Sequence, residues 1–357
     1  MRIQRLEAVV GSALELAVAG IGGTPLQPVS LLVRGRWRQV HLKLEGENPC
    51  GSIKDRTALS LVTDLERHGG LTAESTLIES TSGNMGVALA FIARARRHPF
   101  VAVVDPKVTS ENLARMRALG ARMEMVDEAD PTGAYLASRL RRVRELCAAS
   151  PRLVWTDQYA NPANPRAHYL GTGPEIRRQM PGGVEAIFLP VSTGGTLAGV
   201  GRYFRETSPS TRVIGVDALG SVVFGGPPGP RRLTGIGSSR RSRFVADHLH
   251  DGHILVDDED AFGCCLMLAA ATGIRVGGSG GAALAACARY LHARPEAGAV
   301  ACVCPDHGDG YATSIFSEAW RRGQGLRTEP VAWIEDIAIA GEAVEAPVGT
   351  AGSREPW

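Results

Sequence analysis

The chain has 357 residues, 44% of them hydrophobic, with a formal net charge of +2 and a mean hydropathy of −0.03. That length exceeds a usual single domain and suits two of ordinary size with ample core. No run of about 18 apolar residues exists, so no membrane span is expected, and a charge so near zero argues neither for nor against a nucleic-acid partner; none is expected.

The 43 glycines predict many tight turns and close backbone approaches. The N-terminus lacks the profile of a secretion signal. Seven cysteines stand at positions 50, 147, 264, 265, 287, 302 and 304. Their number is odd and no Cys-x-x-Cys occurs, which predicts reduced, buried thiols in a cytoplasmic protein, with no disulfide framework and no metal site. Cys302 and Cys304 should share one face of a strand.

In chain order, residues 1–20 carry an amphipathic helical pattern, and Gly22-Gly23-Thr24-Pro25 is a turn. Strand-like runs follow at 29–33 and 40–44 around the basic turn Arg34-Gly35-Arg36. Asn48, Pro49 and Gly51 then break the chain. A helix begins at once, with Ser52 as its cap and Ala58, Leu59, Leu61, Val62 and Leu65 at helical spacing. From Lys54 to about Gln158, strands at 76–79, 100–104 and 122–126 alternate with helices at 54–68, 85–95, 110–119 and 133–148, the third of them capped by Ser110. A second such unit begins at 186–190 and continues through strands at 212–216, 253–256 and 300–304. Short apolar strands separated by helices predict α/β architecture with parallel sheets covered on both faces. Ligands of such sheets bind at the C-terminal ends of the strands. Past Arg327 the periodicity fades and a mobile tail is expected.

Lys54 sits near the start of its helix, where partial positive charge disfavours an ammonium. An amine whose charge is often absent, as in a Schiff base, suits the place; on this stretch alone a solvated lysine suits it equally. Ser80-Thr81-Ser82-Gly83-Asn84-Met85-Gly86 follows a strand and opens a helix, an anion site suited to a carboxylate. Ser192-Thr193-Gly194-Gly195-Thr196 has the same setting and suits a single phosphate. It is neither a Walker loop nor Gly-x-Gly-x-x-Gly, which speaks against a dinucleotide-dependent oxidoreductase. In Gly277-Gly278-Ser279-Gly280, Ser279 reads by itself as a helix cap. Asp306 and Asp309, after the last strand, belong to a loop that closes over the site or, less simply, to a metal site. Among the clustered arginines, Arg139 on the inner face of its helix and Arg240 after a flexible glycine loop are candidates for binding acidic ligands.

Lys54 after Gly51-Ser52-Ile53, the Thr81-Ser82-Gly83-Asn84 loop, the Gly194-Gly195-Thr196 loop and the late Gly277-Gly278-Ser279, in this order, resemble the fold-type II pyridoxal-phosphate enzymes, the family of cysteine synthase and cystathionine β-synthase. The resemblance covers about residues 18–320. It implies two doubly wound parallel-sheet domains of the tryptophan synthase β-like fold. The larger would comprise 1–50 and 160–327, the smaller, substrate-gating one 51–159, with 328–357 a mobile tail. It implies pyridoxal 5′-phosphate as cofactor and a homodimer. Lys54 would bind the cofactor covalently and act as catalytic base. Asn84 would meet the cofactor's 3′-oxygen, Ser192, Thr193, Gly194, Gly195 and Thr196 its phosphate, and Ser279 its ring nitrogen. Thr81, Ser82 and Met85 would lie where the substrate carboxylate docks. Ser80 and Met85 depart from the cysteine synthase pattern, which has proline and threonine there, and Ser192 replaces a glycine.

Glu79 to Asn84, Val104-Asp105-Pro106-Lys107, Gln158-Tyr159-Ala160-Asn161, Val216-Asp217-Ala218, Gly235-Ile236-Gly237 and Pro305-Asp306 resemble more closely one subgroup, whose members make a glutamate-linked precursor of 2,3-diaminopropionate for siderophores and peptide antibiotics. That resemblance places Arg139, Tyr159 and Ser192 at the amino-acid substrates, and the carboxylates and phosphate of those substrates need cations, which Arg139 and Arg240 can supply. It implies β-replacement on O-phospho-L-serine with L-glutamate as nucleophile. The alternatives are cysteine synthesis from O-phosphoserine or O-acetylserine and sulfide, and a catalytically dead binding protein on the same fold.

Overall fold

A computed structural model describes residues 13–130, 133–327 and 331–341. Residues 13–19 are helical (α1); the remainder of the amphipathic stretch expected at the N-terminus lies outside the described residues. β1 (Leu26–Val33) and β2 (Arg36–Leu44) form an antiparallel hairpin. Its two-residue turn has Arg34 and Gly35 at φ 53° and 69°, the left-handed pair that matches the twist of the strands.

The chain then enters α2 (Lys54–Arg67) and builds the smaller sheet. β3 (Thr76–Ser80), α3 (Asn84–Ala95), β4 (Phe100–Val104), α4 (Ser110–Ala118), β5 (Arg122–Met125), α5 (Leu136–Ala149) and β6 (Leu153–Trp155) follow in turn. The four strands lie in the order β5-β4-β3-β6, all parallel. The α6 (Ala163–Ala167) and α7 (Gly173–Gln179) helices, joined by a π-helical turn at His168–Thr172, lead back. β7 (Ala186–Pro190), α8 (Gly195–Thr207), β8 (Arg212–Ala218), β9 (His253–Val256), α9 (Asp258–Thr272), α10 (Gly278–Ala293), β10 (Val300–Cys304), α11 (Glu318–Gly323) and β11 (Asp336–Ile339) complete the larger unit. Its seven strands run β11-β1-β2-β10-β7-β8-β9.

Alternation along each buried strand divides the core between the two faces of a sheet. In β7, Phe188 joins the cluster of Leu42, Val216, Leu284 and Cys302, while Ile187 and Leu189 join Leu197, Phe204 and Val303 on the opposite face. Cys302 and Cys304 fall in the same cluster, so they share a face as the period of two requires. In the smaller sheet Leu77, Ala102 and Val104 pack on α2 and α3, and Ile78, Val101 and Val103 pack on Val143 of α5.

The larger sheet is not wholly parallel. β2, β10, β7, β8 and β9 are parallel, but β1 runs opposite to them and pairs antiparallel with both β2 and the edge strand β11. The tail expected past Arg327 to be mobile supplies β11, which pairs with β1 in the register Val29↔Ile339. Val331, Ile334 and Ile337 are buried with it, and three apolar residues after the acidic pair Glu335-Asp336 are too short a pattern to read as a strand. α4 is capped by Thr109, whose hydroxyl accepts the Asn112 N–H at 3.2 Å, and Ser110 is its first residue. α5 starts at Leu136, since Gly133, at φ 75°, cannot open a right-handed helix.

One buried ionic cluster fixes α2 to the larger sheet. Arg56 Nε donates to Glu45 at 2.7 Å and its Nη1 to Glu175 at 2.7 Å; Lys43 Nζ meets the other Glu175 oxygen at 2.7 Å. Two cations face two carboxylates, so no buried charge is left uncompensated. The cluster sits at the first turn of α2 and so sets where Lys54 points.

Candidate active site

Lys54 opens α2, and its approach is pinned to the end of β10. Ile53 N–H donates to the Pro305 carbonyl at 2.8 Å, and Ser52 bridges Asp306. Ile53 takes the cap position, while the Ser52 hydroxyl, the expected cap, accepts the Lys54 N–H at 3.2 Å. The half-buried Lys54 side chain lines a cleft with Ser192, Thr193, Gly194, Thr196 and Gly235. Burial lowers the pKa of its amine, and the nearby charge of Asp306 opposes that shift without cancelling it. A larger cavity behind Asp306, bordered by Gly46, Glu47, Arg275 and His307, contains no lysine and none of the hydroxyl-rich loops. The cleft at Lys54 is therefore the place for chemistry.

α3, α8 and α10 begin without a side-chain cap, as do α5, α6 and α7, whereas α4, α9 and α11 start under Thr109, Asp257 and Ser317. First-turn N–H groups that border a cleft can serve a ligand, and the helix dipole favours an anion there. At α8 the cap residue is Gly194, at φ 88°. A Cβ on Gly194 would strike Ser242, and one on Gly195 would strike Asn164. The loop is thus packed tightly from behind, and its Gly195 N–H donates to the Thr193 hydroxyl at 3.4 Å.

The residues behind that loop were not anticipated. Asn164 Nδ2 donates to the Thr193 hydroxyl at 3.1 Å, and His168 Nε2 lies 3.3 Å from Thr196 Oγ1 and 3.2 Å from Thr57 Oγ1. Burial, with Lys54 and Arg56 close by, holds the His168 imidazole neutral. The available signal was a polar pair four residues apart, which α6 and its π-helical continuation place on one side.

Asn84 opens α3, and its Nδ2 donates to Asp306 Oδ2 at 2.7 Å. Ser279 is the second residue of α10, whose cap residue is Gly277, so it is not the cap it resembles by itself. Its hydroxyl is buried and has no partner among the described residues, and it lies 3.9 Å from the Cβ position of Gly235 on the cleft wall. Asp309 turns outward to Arg275 and His307, so the two aspartates do not share a site.

Ser82 Oγ donates to Asp105 at 2.8 Å and accepts from Arg139 Nη1 at 2.8 Å, while Arg139 Nε lies 3.1 Å from the same carboxylate. Arg139 therefore already has its counter-charge. Tyr159 lies between Arg139 and Arg240: burial pushes its phenol up, against the pull of both guanidinium groups. The Arg240 guanidinium is 5.9 Å from the Tyr159 ring, within cation–π reach. The Ser192 hydroxyl donates to the Gly237 carbonyl at 3.1 Å, so it holds the loop that carries Arg240. Thr81 is buried beside Gly86. The Met85 side chain does not reach the cleft; it packs in the core with Leu89 and Met116, because at this position of α3 the side chain faces the sheet. Only its backbone lies at the helix start.

The fold and this cleft define a cofactor-dependent enzyme of the α/β class. The chain belongs to the family of pyridoxal-phosphate dependent enzymes, which it matches over residues 18–306. It is 42% identical to the N-(2-amino-2-carboxyethyl)-L-glutamate synthase of Ralstonia nicotianae over 84% of this chain and 89% of that one. A protein of the same name from Cupriavidus metallidurans is 40% identical over 85% and 90%. Among solved structures, the O-acetylserine dependent cystathionine β-synthase of Helicobacter pylori superposes with a TM-score of 0.77 at 32% identity, covering 84% of this chain and 97% of that one. An O-ureido-L-serine synthase gives 0.77 at 30% identity, over 86% and 98%.

Pyridoxal phosphate fits the residues present. The cleft offers a buried amine for its aldehyde, an uncapped glycine–threonine helix start for its phosphate, an amide donor at Asn84 and an orphaned hydroxyl at Ser279. No helix among the described residues is long and apolar enough to cross a membrane.

Proposed function

We propose that this chain joins O-phospho-L-serine and L-glutamate into N-(2-amino-2-carboxyethyl)-L-glutamate with release of phosphate. The observation that carries the reading is a cleft in which the Lys54 amine meets the Ser192-Thr193-Gly194 loop and the start of α8, with Arg240, 5.9 Å from the Tyr159 ring, on the loop that Ser192 holds. The names of the relatives from Ralstonia and Cupriavidus support the same choice of substrates.

Bound pyridoxal phosphate supplies an electron sink for the charge left at Cα when its proton departs. Lys54 would hold the cofactor by its amine, and that amine, when free, would take the Cα proton as general base. Its lowered pKa suits both tasks. Thr193, Thr196 and the first N–H groups of α8 would hold the cofactor phosphate, Asn84 would serve its 3′-oxygen and Ser279 its ring nitrogen. A hydroxyl at that nitrogen does not keep it protonated as a carboxylate would, which limits the sink and favours loss of phosphate from Cβ over transamination. Thr81, Ser82 and the start of α3 hold the substrate α-carboxylate. The Cβ–O bond breaks, the glutamate α-amine forms the Cβ–N bond, and Lys54 returns the proton to Cα. Arg240 takes the side-chain carboxylate of glutamate, since Arg139 is already neutralised by Asp105.

Purified protein given phosphoserine, glutamate and sulfide together tests the choice. The adduct and one equivalent of phosphate are expected by mass spectrometry and phosphate assay. Cysteine as the main product turns the assignment to cysteine synthesis, and absence of either product turns it to a binding protein. The family resemblance also supports a cytoplasmic homodimer, which light scattering checks for its stoichiometry.

A further inference from the structure

Asp306 stands at the C-terminal end of β10, and no step of the proposed reaction uses it. Its backbone bridges Ser52, just before Lys54, and its carbonyl accepts the Gly277 N–H at the start of α10 at 3.2 Å. Its side chain is buried: the residue is 4% exposed. Oδ2 accepts from Asn84 Nδ2 at 2.7 Å and from the Tyr311 hydroxyl at 2.6 Å, while Oδ1 has no partner among the described residues. Gly277 has to be glycine here, since a Cβ would strike Asp306 Oδ1 and the Tyr311 ring. One residue thus ties together the approaches to Lys54 and Ser279 through its backbone and Asn84 through its carboxylate. Lys54 of α2, Tyr311 of its own loop, Cys265 of α9 and Cys304 of β10 are the titratable groups around it.

The two ends of an asparagine amide are alike in shape and opposite in hydrogen bonding. Burial raises the pKa of the Asp306 carboxyl, and the hydrogen bonds from Tyr311 and Asn84 and the charge of Lys54 oppose that shift; in its ionised form it accepts and cannot donate, so it selects the NH2 end. Tyr311, donating to the same oxygen, keeps that oxygen from turning away. With Nδ2 fixed on Asp306, its second N–H is left for another acceptor.

We propose that Asp306 is a positioning residue that locks the Asn84 amide with its nitrogen toward the cofactor, so that Asn84 presents an N–H to the ring oxygen. The inference rests on the reading of Asn84 as a cofactor contact.

The test is a double-mutant cycle on cofactor binding, which does not depend on turnover. Apoprotein of wild type, Asn84→Ala, Asp306→Ala and the double variant is titrated with pyridoxal phosphate, and the dissociation constant and visible band are recorded. Each single change is expected to weaken binding roughly tenfold and to shift the band alike, with the double variant no more than about twofold weaker than Asn84→Ala. If Asp306→Ala does not fold by circular dichroism, the cycle is run with Asp306→Asn. That change keeps the shape but can donate, so it admits the flipped amide and is expected to be non-additive in the same way. Wild-type affinity and band in the Asp306 variants, or penalties that multiply in the double variant, overturn the proposal while leaving Asn84 in place. Wild-type binding by Asn84→Ala removes the reading of Asn84 itself, and the proposal with it.

Discussion

An ammonium at a helix start is opposed by the helix dipole, and burial opposes it again. Lys54 meets both conditions, which favours the neutral amine that attacks an aldehyde. Capture of pyridoxal phosphate by the apoprotein should therefore speed up with pH and level off below the range of a free lysine, as followed by visible absorbance. A rate still climbing through that range would contradict the lowered pKa. Lys54→Ala should abolish the visible band and lower turnover by roughly 10²- to 10⁴-fold, with circular dichroism unchanged. Arg240→Ala should raise the KM for glutamate by roughly 10- to 100-fold and leave that for phosphoserine nearly unmoved; initial rates with each substrate varied in turn decide it, and an equal rise in both would remove Arg240 from the glutamate pocket. Lys54 was legible in the sequence because everything that marks it is local: a strand, a break, a helix start. The counter-charge that Arg139 finds in Asp105, and the grip of Asp306 on Asn84, were not legible. Those partners lie far away in the chain, and only the folded sheets bring them within hydrogen-bond range.

At the scale of elements, the site is made of helix beginnings. The start of α8 shows what maintains one: Gly194 and Gly195 leave no room behind the backbone for even a methyl group. Gly195→Ala should push the loop off Asn164 at a cost of about 1–3 kcal/mol, read as a tenfold or greater weakening of cofactor binding in an apoprotein titration. Unchanged affinity would show that the loop can yield. Most long elements were readable from their periods, including α2, α3 and the central strands, because burial on both faces demands apolar runs bounded by turn residues. The short ones were not. β6 is three residues long and half-buried, and β11 is four residues, the first an aspartate. α6 and α7 are short helices whose role is to bring Asn164, His168 and Glu175 to their partners.

At the scale of the whole molecule, the buried cluster of Lys43, Glu45, Arg56 and Glu175 joins the unit carrying α2 to the larger sheet. Burial pushes the Glu175 carboxyl up, but hydrogen bonds from Arg56 and Lys43 prevail and hold it at about 2. A depressed carboxyl stabilises the fold above its unfolded value and loses that contribution as pH falls toward the folded one. Glu175→Gln should therefore cost about 3–5 kcal/mol near neutrality, and the gap from wild type should close progressively below about pH 4.5. Urea unfolding at a series of pH values measures both; a gap independent of pH would show that the charge itself contributes nothing.

β11 carries a consequence outside catalysis. By lying along β1 it covers the outer row of backbone N–H and C=O groups of Val29 to Leu32 and leaves its own four residues as the shorter margin of the sheet. A sheet with that row bare is a template for any other extended chain. Protein cut after Arg327 should keep the residues of its cleft and still turn cloudy on standing, as neighbouring molecules zip onto the exposed margin. The terminal segment would then act as a guard against self-association.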